Sequence, residues 1–265
     1  MIDSHCHLQL CRDSVPDILQ RAHELGVTSV IQVATDLATA RWGMEVAQQT
    51  HPIGIYPSAG LYPSRAEGDW ETQMPELKAL LGTGQIVALG EVGIDLYHAT
   101  HFLDRQEAML RAQIELALEA DLPIIFHIRK SYEQVRNICE EFRSNRRLRG
   151  VWHCFDGNLE QARQFVDWGW MISFSGMLTY KKNSGLREVA QALPLDSIMI
   201  ETDSPYLSPE PLRSEKNEPG KVSYVLEALA KIKACDRDEL DYITTTNTLK
   251  LFGISAFTSK SQPRS

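Results

Sequence analysis

Short runs of apolar and β-branched residues alternate with longer stretches of helical periodicity along almost the whole chain. This alternation is typical of βαβ units with a parallel sheet, and near-continuously apolar runs are expected of strands buried on both faces. The pattern predicts eight strands, each followed by a helix: Ile2–His7, Ser29–Ala34, Ile55–Gly60, Ile86–Gly93, Pro123–His127, Gly150–Phe155, Met171–Ser175 and Ile198–Asp203.

The helices between these strands carry recognisable end signals. Ser14 predicts a helix N-cap with Pro16 in the first turn, and Gly26 predicts the end of that helix. A proline-rich loop from Ser204 to Gly220 precedes two further predicted helices, near Lys221–Lys233 and Asp236–Leu251. Eight such units close naturally into a barrel, although an open doubly wound sheet would give the same alternation.

The length of 265 residues and the apolar content of 43% suit a single α/β domain. We therefore predict a (β/α)₈ TIM barrel over residues 1–253 and a polar, mobile C-terminal tail over residues 254–265.

The composition of the chain restricts the expected cellular location and binding partners of the protein. The net charge of −8 argues against a protein that coats long nucleic acids by charge neutralisation, although bound divalent ions would add charge that this count omits. Five scattered cysteines and the absence of a basic and then apolar leader predict a reduced, cytoplasmic protein. The sequence contains no run of about 18 apolar residues, so we predict no membrane span.

His5 and His7 are two residues apart in the first predicted strand, so both imidazoles share a face and Cys6 points the other way. Two such histidines can chelate a metal ion, but the same pair also arises by chance, and alone it decides nothing. Asp3 shares that face, and we expect its carboxylate to accept a hydrogen bond from a histidine ring nitrogen.

Four more residues of the metal-binding type lie at the ends of other predicted strands: Glu91, His127, His153 and Asp203. Each alone has an ordinary explanation, such as a satisfied core histidine or an aspartate that caps a turn. In a barrel, however, all these strand ends meet at one mouth, and such groups are costly to bury without a partner. Together with the first two histidines, they predict a metal site.

Mixed imidazole and carboxylate ligands suit Zn²⁺ or Mn²⁺ and tolerate Mg²⁺. Six ligands with Glu91 at the centre would support two ions bridged by that carboxylate, and two ions can generate hydroxide and clamp the oxygens of a displacement. We assign acceptance of the water proton to Asp203, so Asp203 and Glu91 are the predicted catalytic residues. Cys154 adjoins His153, but neighbours on a strand face opposite ways and form no dyad.

Six sequence blocks resemble, in order and spacing, the signature blocks of TatD-type metal-dependent deoxyribonucleases, and the likeness covers roughly residues 1–253. The blocks are Asp3–His7, Gly90–Asp95, Leu122–Arg129, His153–Gly157, Ile172–Gly176 and Glu201–Leu207. The resemblance implies an amidohydrolase-like barrel, two or three divalent ions, and hydrolysis of DNA phosphodiester bonds, commonly from the 3′ end of single strands. Single-stranded DNA or DNA 3′ ends are then the expected substrate, and no obligate protein partner is indicated.

The resemblance also assigns residues. The family's metal ligands match His5, His7, Glu91, His127, His153 and Asp203, and Glu201 matches a position that can add a further metal contact. One departure concerns Tyr62, which replaces a histidine expected near the substrate phosphate. A phenol can donate a hydrogen bond but cannot be cationic near neutral pH.

The βα loops on the catalytic side of the barrel provide the expected substrate contacts, which are Tyr62, Arg129, Tyr206 and Arg213. Two alternative functions stay open. The same scaffold could hydrolyse small esters, lactones or amides, although related barrels often use a carboxylated lysine to bridge their metals, whereas this chain has Glu91. A catalytically silent barrel that acts as a binding partner predicts decayed ligands, and every ligand position is filled.

Overall fold

The computed structural model describes residues 1–257 and contains one sheet of eight parallel strands in chain order. The strands are β1 (Ile2–Cys6), β2 (Ser29–Gln32), β3 (Gly54–Ala59), β4 (Ala88–Asp95), β5 (Ile124–Arg129), β6 (Gly150–Trp152), β7 (Met171–Phe174) and β8 (Ile198–Ile200). The helices are α1 (Val15–Glu24), α2 (Leu37–Ala47), α3 (Met74–Leu81), α4 (Leu103–Ala120), α5 (Tyr132–Phe142), α6 (Leu159–Asp167), α7 (Ser184–Ala192), α8 (Val222–Lys233) and α9 (Arg237–Phe252).

The sheet closes where β1 meets the segment after β8. The backbone N–H of Asp203 donates to the carbonyl oxygen of His5 at 2.9 Å, and that of His7 donates to Ser204 at 2.8 Å. These bonds decide between the two arrangements that the alternation allowed. The (β/α)₈ barrel is confirmed, and the open sheet is excluded.

Apolar side chains fill both sides of the strands. An inner cluster occupies the barrel interior, and Leu251 and Phe252 of α9 pack against it. Its other members lie in the strands or, for Val33, just after β2: Ile31, Val33, Ala88, Ile125, Val151, Met171 and Met199. Asn247 of α9 donates to the carbonyl oxygen of Ile198 at 2.8 Å, which places this helix at the N-terminal end of β8. Because α9 packs at the N-terminal end of the barrel, the opposite, C-terminal end is the one available for a functional site.

Helix ends agree with the local signals. The side chain of Ser14 accepts a hydrogen bond from the backbone of Asp17 at the start of α1, and Asp236 caps α9 in the same way. In the segment after α9, the Tyr56 hydroxyl donates to the carbonyl oxygen of Ser255 at 2.9 Å. Residues 258–265 of the predicted tail lie outside the described residues, so the boundary at residue 253 stays a prediction. Within the described part of the chain, no helix combines the length and apolar character needed to cross a membrane.

All eight strands end one to three residues away from their predicted ends, and four of these differences affect the site most. Strands β4 and β5 continue to Asp95 and Arg129, which are paired in register, so both strands end two residues later than predicted. Strands β6 and β8 end early, at Trp152 and Ile200, and the chain beyond them leaves the extended conformation at Cys154 and Asp203, which have left-handed φ angles of 46° and 56°. His153 and Asp203 therefore lie beyond their strands.

Two register shifts coincide with residues of the predicted site. The β1–β2 pairing shifts between Asp3 and Cys6, around His5, and the β4–β5 pairing shifts between Gly90 and Val92, at Glu91. Irregularities of this kind re-aim side chains out of the regular alternation. The barrel thus departs from ideal geometry where it presents its ligands.

Gly93 lies just after the second shift and allows β4 and β5 to approach closely. Its φ is 152°, and a Cβ atom there would lie 1.9 Å from the carbonyl oxygen of His127. We expect Gly93→Ala to lower the free energy of unfolding by about 2–4 kcal/mol, because both the backbone strain and the clash must be accommodated.

Urea unfolding measures this loss, and Gly185→Ala is the matched control. Gly185 lies in α7 with no neighbouring atom within 4 Å of a built Cβ, so its replacement should be neutral or slightly stabilising. Equal losses in the two variants would contradict the packing role of Gly93.

Candidate metal centre

The six predicted ligands converge at the C-terminal mouth of the barrel. A cleft of about 540 Å³ opens there, and five of the six line it: His7, Glu91, His127, His153 and Asp203. The sixth, His5, is fully buried beside them, with its ring stacked on that of His153 at a centroid distance of 3.9 Å. Residues from five strands or strand ends thus form one cluster.

Glu91 lies at the centre of the cluster, and each of its oxygens faces its own pair of imidazoles. Oε1 lies 2.6 Å from His127 Nδ1 and 2.9 Å from His153 Nε2. Oε2 lies 3.5 Å from His5 Nε2 and 3.5 Å from His7 Nε2. One carboxylate therefore separates two groups of nitrogen ligands.

Asp203 completes the first of these groups. Its Oδ1 lies 3.7 Å from His5 Nε2 and 3.5 Å from His7 Nε2, and the two nitrogens are 3.2 Å apart. Two ligands that each lie about 2.1 Å from a tetrahedral ion would be about 3.4 Å apart. The observed spacings fit a divalent ion between these three side chains.

The hydrogen bond of the His7 ring nitrogen that faces away from the cluster also suits metal binding. His7 Nδ1 lies 2.9 Å from the carbonyl oxygen of Val33, which can only accept, so Nδ1 carries a proton, and the neutral form of the ring would direct an Nε2 lone pair at the cluster. A metal-bound histidine typically donates its other N–H in this way. The tautomer of His7, like the ligand spacings, therefore suits a bound metal ion.

Buried carboxylates in this cluster require compensating positive charge. Burial alone would raise the pKa of Glu91, but the charge of His153 and hydrogen bonds from His127, His153 and His5 hold it well below its usual value. Burial would likewise lower the pKa of His153, yet Glu91 and Glu201 raise it well above its usual value. Protons or a divalent ion can supply this charge, and ion binding would displace the protons.

The backbone of Glu91 is fixed from two neighbouring strands. Its N–H donates to the carbonyl oxygen of Ala34 at 2.9 Å, just after β2. The Ser58 hydroxyl of β3 donates to the carbonyl oxygen of Gly90 at 2.6 Å and accepts from the N–H of Ala34 at 3.1 Å. These bonds hold the β4 irregularity in place.

The expected role of Asp3 is wrong. Its carboxylate accepts from the Thr202 N–H at 2.9 Å, from the Thr202 hydroxyl at 2.6 Å and from the His5 backbone at 3.2 Å, and not from a histidine ring. The register shift in β1 breaks the alternation on which the expectation rested. Asp3 instead links β1 to the segment after β8, and burial raises its pKa to about 8 despite the Thr202 hydrogen bonds.

Glu201 lies behind His153, on the side remote from Glu91. Its Oε1 accepts from the Cys154 N–H at 2.6 Å and lies 3.4 Å from His153 Nδ1. Its Oε2 is buried without a hydrogen-bond partner among the described residues. The Glu201 carboxylate thus lies at ion-pair distance from the His153 ring, and a direct metal contact from Glu201 stays a prediction.

Three of the four expected substrate contacts line the cleft: Tyr62, Arg129 and Tyr206. The guanidinium of Arg213 instead lies over the Tyr180 ring, 3.9 Å from its centroid, and Arg213 is not among the lining residues. The Tyr62 hydroxyl donates to Asp95 Oδ2 at 3.1 Å, and burial raises the pKa of this phenol, which therefore stays neutral.

Asp95 is absent from the predicted ligands because the sequence pattern placed the end of β4 at Gly93. A signal does exist, since Glu91 and Asp95 are an even number of residues apart, and alternation would place them on one face. Asn217 is a second site residue that periodicity cannot reveal. Its side chain donates to the carbonyl oxygens of Thr202 and Tyr206 at 2.8 and 2.5 Å and so holds the loop that carries Asp203.

A barrel with this cluster at its C-terminal mouth belongs to the class of metal-dependent hydrolases, and comparison with known proteins gives the family. The model of the family described as TatD related DNase matches residues 2–253. The chain is 32% identical to the metal-dependent hydrolase TatD of Mycobacterium tuberculosis over 96% of this chain and 98% of that protein. It is 34% identical to YabD of Bacillus subtilis, covering 96% and 100% of the two chains.

Solved structures agree. YjjV of Escherichia coli, a TatD homologue, superposes with a TM-score of 0.89 at 31% identity and covers 96% of this chain and 98% of that one. A TatD family protein of Entamoeba histolytica superposes with a TM-score of 0.83 at 22% identity, over 94% and 97% of the two chains. The chain belongs to the TatD-related DNase family of metal-dependent hydrolases.

Metal binding at Glu91 can be measured through stability. Because an ion that binds the folded state stabilises it by mass action, we expect Mn²⁺ at 100 times its Kd to stabilise chelator-treated protein by about 2.7 kcal/mol. Glu91→Gln should lose this stabilisation, since the central charge is removed. Thermal unfolding with and without Mn²⁺ measures the effect.

Glu45→Gln is the control, because Glu45 is an exposed residue of α2 far from the cluster. It should respond to Mn²⁺ like the unmodified chain. A Glu91→Gln variant with an unchanged response would show that ions bind elsewhere.

Proposed function

We propose that this protein is a deoxyribonuclease that hydrolyses phosphodiester bonds with two divalent ions, acting as a 3′–5′ exonuclease on single-stranded DNA. The observation that carries the proposal is the position of Glu91, whose two oxygens face separate imidazole pairs. When bound, a pair of ions supplies hydroxide near neutral pH and stabilises the charge that develops on the phosphate.

Within this proposal Asp203 accepts the proton of the attacking water. Its side chain is 14% exposed, whereas that of Glu91 is 4% exposed, so Asp203 is the more accessible carboxylate from the cleft. Asn217 and the backbone bond from Asp203 to His5 hold the loop in place. Glu91 then keeps its charge between the two imidazole pairs, and the Asp203 carboxylate, which also lies next to His5 and His7, takes the proton.

The cleft suits the end of a single strand. Its volume of about 540 Å³ lies in the range of small-ligand pockets, which supports a strand end as the bound group. Tyr206 is 54% exposed at the rim and offers an aromatic face for a nucleobase. Arg65 and Arg129 line the same cleft as phosphate ligands.

Carboxylates already pair with both arginines. Arg65 lies 2.5 Å from Asp36, and Arg129 lies 3.4 Å from Asp156. Their charge is thus partly compensated, which together with the net charge of −8 supports contact with few phosphates rather than a long tract of DNA. All five cysteines are unpaired, which supports our placement of the protein in the reducing cytoplasm.

One observation favours a second candidate, the hydrolysis of small neutral esters or lactones. The Tyr62 hydroxyl lies 3.1 Å from Asp95 Oδ2 and 3.2 Å from His127 Nε2, so this wall of the cleft presents a neutral phenol where a phosphate would favour a cation. The catalytically silent alternative receives no comparable support, because all six ligands lie within one cluster.

Asp203→Asn tests the proposed chemistry. We expect at least a hundredfold loss in the rate of cleavage of end-labelled single-stranded DNA with Mg²⁺ or Mn²⁺, because proton transfer typically contributes about 10²–10⁴-fold. Circular dichroism would verify the fold. Asp196→Asn, an exposed residue just before β8, should cleave normally. An Asp203→Asn variant with full activity would refute the assigned role.

The substrate class and the direction of strand cleavage are tested with separate substrates. With a 5′-labelled strand, we expect a ladder that shortens from the 3′ end, and phosphorothioates at the 3′ end should block it. A parallel panel of chromogenic phosphodiesters, carboxylic esters and lactones separates the two candidates. Turnover of esters alone, with intact DNA, would replace the nuclease proposal by the second candidate.

A further inference from the structure

Asp95 is a buried carboxylate at the end of β4 that lies next to the ligand cluster without facing Glu91. It is 1% exposed, and its Oδ1 accepts from the backbone N–H groups of Tyr97 at 2.8 Å and His98 at 2.9 Å. These two bonds fix the orientation of the carboxylate. Its other oxygen is then held toward the side chains of the cleft.

Three side chains meet Oδ2 of Asp95. His127 Nε2 lies at 3.2 Å, the Tyr62 hydroxyl donates at 3.1 Å, and His98 Nδ1 lies at 3.0 Å. An ionised carboxylate only accepts hydrogen bonds, so it favours a proton on each of these groups. For His127, this means a protonated Nε2.

His127 is turned the opposite way from the other three imidazoles. His5, His7 and His153 approach Glu91 through Nε2, at 3.5, 3.5 and 2.9 Å. His127 approaches through Nδ1, at 2.6 Å. A neutral imidazole carries one proton, so a proton retained on Nε2 leaves the Nδ1 lone pair for a metal ion.

We propose that Asp95 is a positioning residue that makes His127 a metal ligand through Nδ1 by holding the proton on Nε2. The Tyr62 ring packs against the imidazole with centroids 4.8 Å apart, and its hydroxyl donates to the same oxygen of Asp95, so Tyr62 belongs to this support. Tyr62 then offers the cleft only lone pairs. The proposal rests on the metal-binding role proposed above for His127.

The tautomer can be observed directly in the unmodified protein. Long-range ¹H–¹⁵N correlation spectra of the Zn²⁺-loaded chain should show a protonated Nε2 on His127 and an Nδ1 shifted by the ion. This measurement requires no variant and no substrate. A protonated Nδ1, or a His127 ring that does not respond to Zn²⁺, would overturn the proposal.

Asp95→Asn tests the dependence on the carboxylate. An amide can present its NH₂ group to His127 and thereby favour the wrong tautomer, so we expect Zn²⁺ affinity, measured by competition with a chromophoric chelator, to fall about 10–100-fold. The protonation pattern of His127 should change in the same variant. An unchanged affinity and pattern would contradict the proposal.

Asp156→Asn is the matched control. It removes the same charge from the same cleft, but Asp156 forms its ion pair with Arg129 rather than a hydrogen bond to an imidazole. We expect a much smaller loss of affinity and an unaltered His127. Equal losses of Zn²⁺ affinity in both variants would mean that the net charge of the cleft determines the affinity and the His127 tautomer does not. That result would overturn the proposal. None of these measurements depends on DNA cleavage, so a failure of the nuclease proposal would be recognised separately.

Discussion

The burial of the Glu91 carboxylate among four imidazoles is the interaction on which the rest of this structure depends. A buried charge is costly unless it is paired and hydrogen-bonded, and here each oxygen has two nitrogen partners. The β4 irregularity, the bonds from Ala34 and Ser58, and the close approach of β5 at Gly93 all place this carboxylate. A divalent ion on either side would replace protons as the compensating charge.

The closed seam of the barrel brings together ligands that are about 200 residues apart in sequence. Asp3 binds Thr202, the His5 carbonyl accepts from Asp203, and Asn217 holds the same loop from the other side. Without these contacts, Asp203 would not be held next to His5 and His7. The fold therefore contributes the proximity, and the individual side chains contribute the chemistry.

Periodicity and strand ends were sufficient to predict the eight strands and to place the six side chains at their C-terminal ends, whereas the family resemblance implied that the sheet closes into a barrel. They could not supply contacts that depend on register. Asp3 pairs with Thr202 because β1 shifts its register, and Asp95 joins the site because β4 runs two residues further than its pattern indicates. The inverted ring of His127 depends on that same carboxylate, and Arg213 packs on Tyr180 through a loop that carries no periodic signal.

Anomalous diffraction from crystals soaked in Mn²⁺ tests most directly whether Glu91 lies between two metal sites. We expect two peaks, one bounded by His5, His7 and Asp203 and the other by His127 and His153, each next to a different oxygen of Glu91. Peaks away from Glu91, or a single ion that no oxygen of Glu91 contacts, would contradict this arrangement.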